Sequence, residues 1–299
     1  MSSVTPMTAR PSRTRAFCAA YTASVSANIA LAMFAAMALA ALLAPWIAPQ
    51  DPYDLSSVSI LDNLLPPGTQ SFAGYTHWLG TDGQGRDMLS AMLYGMRISL
   101  LVGLLSGLFA LLFGTLVGLV AAFRGGWVDA VLMRIVDLQL SFPTILVALV
   151  LLVILGRGVD KIIFALVLVQ WAYFARTVRG VALVESARDY VEAARGLRLP
   201  ALRILFLHVL PNCLPTMLVV ATIQMAQAIS LEATLSFLGL GLPPTRPSLG
   251  LLIANGFDFL QSGRWWISVL PGLVLLALIV SVNVIGDRMR AILNPHLKG

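Results

Sequence analysis

Several stretches of this chain run for about 20 residues with almost no charge, long enough to cross the hydrocarbon core of a bilayer as helix. Apolar residues make up 58% of the sequence and charged residues 11%, where soluble domains carry roughly 25% charged residues. The pattern predicts an all-α polytopic membrane protein with six transmembrane helices, at 28–47, 98–123, 131–156, 162–183, 213–238 and 265–286. The net charge of +6 sits in the segments between spans, so it bears on orientation rather than on nucleic acid. Cys18 and Cys213 have no His or Cys at ligand spacing and suggest neither a disulfide framework nor a metal site.

Residues 1–27 carry Arg10, Arg13 and Arg15 and no acid. The apolar run behind them is longer than a signal-peptide core, and Pro45-Trp46-Ile47-Ala48-Pro49 is no small-residue cleavage site. A retained first helix behind a cytoplasmic tail is expected. Residues 48–97 form a polar segment rich in Pro, Gly and Asp, expected outside the cytoplasm. Within it, His77-Trp-Leu-Gly80-Thr81-Asp82-Gly-Gln-Gly85-Arg86-Asp87 combines glycines for tight turns with aspartates that can cap turns or the next helix. A metal reading of His77, Asp82 and Asp87 is the alternative, without a visible supporting shell.

In the second span, Gly103, Gly107, Gly114 and Gly118 form two pairs four residues apart, a spacing that permits close helix packing in lipid. General glycine enrichment of membrane helices is the plainer explanation. Asp137 and Pro143 fall in the first half of the third span, with Arg134 one turn from Asp137. Arg176 and Arg179 are expected to snorkel toward an interface from the fourth span. Glu232 lies in the apolar fifth span, and an intramembrane carboxylate invites a functional reading; structural pairing or cavity lining is favoured. Residues 240–264 read as a polar loop, and Trp265-Trp266 as an interfacial belt.

The longest charge-rich run between spans is 185–212. Val184, Ala187, Val191, Ala194 and Leu197 make an amphipathic stripe flanked by Glu185, Arg188, Glu192 and Arg195. Pro200 breaks the pattern, and a second short helix runs from Ala201 to about Leu210 before Pro211. Such a hairpin either grips a soluble partner or lies on lipid headgroups. With six spans and a cytoplasmic N-terminus, fourteen Lys and Arg fall on the inner side and six on the outer, which places the hairpin and both termini in the cytoplasm.

Catalytic motifs are missing. Neither of the two lysines, Lys161 and Lys298, sits in a phosphate-cradling loop, and no zinc-protease helix or nucleophile elbow occurs. No enzymatic chemistry and no cofactor are expected in this chain.

Glu192-Ala193-Ala194, the nineteen-residue step from Glu192 to Pro211 and the ending His208-Val-Leu-Pro211-Asn212 resemble the EAA loop of ATP-driven importer permeases. HWLGTDGQGRD, the following YGMRISL and the closing GDRMRAILNPHLK resemble the peptide/nickel branch of that bacterial family, most nearly the second permease of dipeptide and oligopeptide importers. That resemblance implies the type I ABC importer permease fold in the inner membrane: a core over 98–288, the first span peripheral, and a cytoplasmic C-terminal tail over 289–299. It implies a sister permease as heterodimer partner, two ATP-binding subunits holding ATP and Mg, and an extracytoplasmic solute-binding protein that docks on the outer segment. It assigns ATPase coupling to Glu192, Ala193, Ala194, Arg195, Gly196, Arg198, His208 and Pro211, and import to peptides, with nickel, glutathione or another small solute as alternatives. Arg198 stands where the family usually has Gly, so the turn is expected to form around Gly196. A different class, an ion-coupled carrier or intramembrane enzyme, would use Glu232 and Asp137.

Overall fold

The computed structural model describes residues 13–54, 58–72 and 74–293; Arg10 of the expected tail and the closing residues 294–299 lie outside them. In chain order the helices are α1 (Arg13–Thr22), α2 (Val25–Leu42), α3 (Ala44–Ile47), α4 (Met88–Arg124), α5 (Gly126–Ser141), α6 (Thr144–Leu155), α7 (Val159–Ser186), α8 (Asp189–Gly196), α9 (Ala201–Ile204), α10 (Leu210–Phe237), α11 (Leu249–Phe257) and α12 (Trp266–Leu293). A two-stranded antiparallel ribbon pairs β1 (Thr69–Gln70) with β2 (Thr76–His77), with Thr69 opposite His77.

Among the described residues, five helices are long and apolar enough to cross a membrane: α2, α4, α7, the continuous run Ala201–Phe237, and α12. The straight sixth span expected over 131–156 does not form: these residues fall in α5 and α6, a pair bent by 89° that makes a sixth crossing only when the two are taken as one span. Pro143 explains the break: it has no N–H to continue the ladder, and it pushes Phe142 before it into extended backbone (φ −89°, ψ 140°).

The second span starts at Met88 rather than near residue 98, because Asp87 caps it by accepting the Ser90 N–H. At 37 residues α4 is about 55 Å long, well beyond a hydrocarbon core of about 30 Å. Leu104, Leu108, Leu112 and Leu116 lie outward along it at spacings of four, a stripe suited to lipid or an apolar partner. α7 packs along the opposite face. A Cβ at Gly114 would lie 2.4 Å from the Trp171 carbonyl oxygen, and one at Gly118 2.5 Å from that of Ala175. Gly103 meets Ile229 of α10, whereas Gly107 faces open space. The close-packing expectation holds for three of the four glycines.

The first span runs over Val25–Leu42, capped by Ser24, and buries only Ala27, Ala30 and Ala41, against α12 and α4. Before it, α1 forms a helix where a tail is expected, held to α12 by an Arg288 hydrogen bond to the Ala20 carbonyl. Residues 240–264 are not simply a loop. Ser248 caps α11, which buries Leu249, Leu251 and Leu252.

Two apolar clusters mark opposite ends of the bundle. Met88, Met92, Leu249, Leu252, Trp266 and Ile267 meet at the first-turn end of α4. Leu119, Val178, Val191, Ile204, Val209 and Cys213 meet at its last-turn end, where Cys213 fills the core as a small apolar residue.

Candidate functional site

At the last-turn end of α4, residues 185–212 fold back as the expected hairpin, built differently from the sequence pattern. The amphipathic stripe does not lie on one helix. α7 carries on to Ser186, the chain turns at Ala187 and Arg188, and α8 restarts at Asp189. Only Val191 and Ala194 are buried, while Val184 and Leu197 stay 62% and 75% exposed. Of the expected charge pairs, Glu185 and Arg188 meet at 3.5 Å; among the described residues Glu192 and Arg195 make no ion pair.

The turn after α8 corrects the expectation for Gly196, which is the last helical residue. Arg198 itself takes the left-handed conformation, at φ 55°. Its N–H bonds the Arg195 carbonyl at 2.9 Å, and the Leu199 N–H bonds that of Ala194 at 3.2 Å. Together these are the two bonds of a Schellman cap, closed by Leu199 packing beside Ala194 in the apolar cluster. A side chain in that conformation costs about 1–2 kcal/mol.

Pro200 then starts α9, which passes through a π-helical turn at Leu205–Val209 into α10 without a break. Pro211 therefore begins no new segment. It lies inside the continuous run, directly after the π turn that holds His208, and that locally widened turn is where a residue without an N–H is accommodated. A tie that the sequence pattern did not reveal joins the two limbs. The Tyr190 hydroxyl donates to Glu185 at 2.8 Å and accepts from Asn212 Nδ2 at 3.1 Å, while Asn212 also donates to the His208 carbonyl. Burial first, and then the hydrogen bond to Glu185, push the Tyr190 phenol above its ordinary value of 10.0, so it stays a donor at neutral pH.

The motif His77–Asp87 sits at the other end of α4, and its polar side chains other than Gln84 face inward. His77, Thr81, Asp82, Arg86 and Asp87 are all buried. Asp82 Oδ2 takes the Arg86 guanidinium at 2.7 Å while its Oδ1 accepts the Gln84 and Arg86 N–H groups. Arg86 Nη1 reaches on to the Pro244 carbonyl at 3.1 Å, tying the motif to the segment before α11. His77 Nδ1 lies 3.0 Å from Asp87, and Nε2 lies 3.8 Å from Asp62. Asp62, absent from the sequence-derived site, also accepts from Ser71 and Phe72. Among the described residues no three His, Cys, Asp or Glu side chains gather as metal ligands, since Asp82 turns to Arg86. Gly85, at φ 78°, is required because a Cβ there would meet the Ser59 carbonyl at 2.2 Å; at Gly80 it would meet Leu65 O at 2.7 Å.

Trp266 is not part of an outer belt. It is buried, and its indole N–H donates to the Thr81 carbonyl at 3.2 Å; only Trp265 is half exposed. The motif thus builds the end of the bundle through its buried polar side chains, while Trp78, 68% exposed, and Gln84 stay on the surface.

Within the bundle, Asp137 pairs with Arg176 of α7, not with Arg134, and Asp129 holds Arg179 through two bonds of 2.5 and 2.6 Å. Neither arginine simply snorkels. Glu232 is fully buried and accepts from Ser99 of α4 and Ser236 of α10, each at 2.8 Å. Asp137 and Glu232 share no partner and form no joint centre.

Residues 114–299 match the family described as "Binding-protein-dependent transport system inner membrane component". The chain is 39% identical over 253 residues, 85% of its length and 83% of the relative's, to the dipeptide transport system permease protein DppC of Escherichia coli K12. It is 36% identical over 254 residues, with 85% and 82% covered, to the di/tripeptide transport system permease protein DppC of Pseudomonas aeruginosa UCBPP-PA14. In fold it is similar to a chain of the inward-facing MetNI methionine ABC transporter, with a TM-score of 0.57 at 23% identity, covering 69% of this chain and 97% of that one. The helices described above are those of a type I ABC importer permease.

Proposed function

The chain belongs to the family of binding-protein-dependent transport system inner membrane components, and from that premise we propose that it is one permease of an ATP-driven importer of di- and oligopeptides. It works beside a sister permease, two cytoplasmic subunits that bind ATP and Mg, and an extracytoplasmic solute-binding protein. Peptide is the substrate class that the names of its relatives support. The excess of Arg and Lys on the hairpin side supports cytoplasmic termini and a cytoplasmic hairpin.

The observation that carries this reading is how the hairpin is seated. Val191 and Ala194 of α8, with Ile204, Leu205 and Val209 beyond the turn, pack on Leu119 of α4, Val178 and Ala182 of α7, and Cys213 and Met217 of α10. A push on the hairpin is therefore delivered to three membrane helices at once. The Tyr190 tie keeps its limbs together under load. ATP-driven closure of the partner subunits moves the hairpin as a lever, and the bundle alternates between outward and inward openings. Glu232 of α10, bonded to Ser99 of α4, ties those two helices together toward the other end of the bundle.

Reversing a charge on the exposed face of α8 tests this. Glu192→Arg is expected to lower ATP-dependent uptake of a labelled dipeptide at least tenfold while leaving the amount of permease in the membrane unchanged. Uptake at the wild-type rate would contradict the coupling role.

A further inference from the structure

α5 leaves two rows of side chains exposed. Val131, Ile135, Leu138 and Phe142 make an apolar row, while Arg134, Asp137 and Ser141, at spacings of three and four, make a polar one. Its remaining face packs inward, with Met133, Val136 and Leu140 against Ala172 and Ala175 of α7. The apolar row suits lipid, but the polar row does not.

The depth of the polar row follows from the seam between α4 and α7. A Cβ at Gly118 would lie 2.5 Å from the Ala175 carbonyl oxygen and 3.1 Å from the Arg179 nitrogen. Arg176 is therefore level with Gly118, six residues or about 9 Å inside Arg124. At that depth Asp137 and Arg176 pair, yet their side chains stay 53% and 54% exposed. Lipid against them would strip water from both ions and replace none of it, so this face needs water. The neighbouring pair is built otherwise. Arg179 grips Asp129 through two bonds, with both side chains less than a third exposed, a closed brace between α5 and α7. Asp137 takes Arg176 through one bond, and Tyr173 stands exposed one turn outward on the same face of α7.

We propose that this face of α5 and α7 lines the water-filled path of the cargo, and that the Asp137–Arg176 pair opens to hold a peptide by its two ends. Arg176 takes the free carboxylate and Asp137 the free ammonium. A zwitterion replaces both partners at once and leaves no ion alone, whereas a peptide blocked at one end strands one of them. This rests on the importer reading above and names the residues that touch its cargo.

The test uses the complete importer and has two readouts. In nanodiscs, open to solvent on both sides, Ser141→Cys is compared with Leu112→Cys on the apolar stripe of α4, each with Cys18→Ser. A charged thiosulfonate reagent is expected to label the Cys at position 141 at least tenfold faster. In proteoliposomes, uptake of a free dipeptide is divided by uptake of its C-terminal amide. The preference of the binding protein enters this ratio equally for every permease and cancels on comparison. Asp137→Asn with Arg176→Gln, which removes both charges together, is expected to lower the ratio at least fivefold. Labelling at 141 as slow as at 112, or labelling that becomes fast only when the sister permease is omitted, would overturn the proposal. So would an unchanged ratio in the double variant. In each case ATP-dependent uptake by the wild type leaves the importer reading intact, whereas a wild-type complex that takes up no dipeptide with ATP would remove both.

Discussion

Arg86 shows how much one residue can depend on one partner. Its guanidinium is buried with a side-chain exposure of 1%, as is Asp82, which neutralises it. Truncating Asp82 leaves that cation without its counter-charge, and breaking a buried pair in this way costs about 3–5 kcal/mol. Asp82→Ala is therefore expected to lower the unfolding temperature of the purified permease sharply, and Asp82→Ala with Arg86→Met to recover most of the loss. Equal stability of the single and double variants would show that the pair contributes little. The role of Asp87 as a cap was legible in the sequence, because a carboxylate before an apolar helical run has a local meaning. The partners Asp62, Tyr190 and Trp266 were not. Trp266 acts on Thr81 from 185 residues away, and Asp62 and Tyr190, though nearer their partners in sequence, act through irregular turns whose contacts no helix or strand period encodes. Arg198 was half legible: a missing glycine raised the question of strain, but only the backbone shows that the strain is accepted in place rather than moved to Gly196.

Helix packing decides what the glycines of α4 are worth. Gly114 and Gly118 let the α7 backbone come so close that an added methyl would overlap carbonyl oxygens, whereas Gly107 meets nothing within 4 Å. Gly114→Ala and Gly118→Ala are each expected to destabilise the permease by roughly 1–3 kcal/mol through overpacking, and Gly107→Ala to be near neutral. Thermal unfolding in detergent checks this, and equal effects at all three positions would contradict the packing described. The existence of these helices followed from hydropathy. Their breaks did not, since an apolar run looks the same whether straight or folded. Pro143 separates α5 from α6 at a bend of 89°, yet Pro211 and Pro215 sit inside the continuous helical run from Ala201 to Phe237. α11 escaped because its nine residues lie among prolines that read as loop.

At the scale of the molecule, a helix of about 55 Å separates a motif whose charged side chains are paired inside the fold from a hairpin whose arginines remain open. The hairpin end rests on three spanning helices, and the motif end is locked by Arg86, Trp266 and Glu232. Such a body suits a part that transmits force supplied from outside it. Direct reconstitution tests that claim most sharply. The permease, its sister and the ATP-hydrolysing subunits would be placed in proteoliposomes, and accumulation of a labelled dipeptide followed with binding protein outside. Accumulation is expected to require ATP hydrolysis and to stop when the hydrolysing subunits are omitted. Accumulation by this chain alone under a proton or sodium gradient, without ATP, would contradict it.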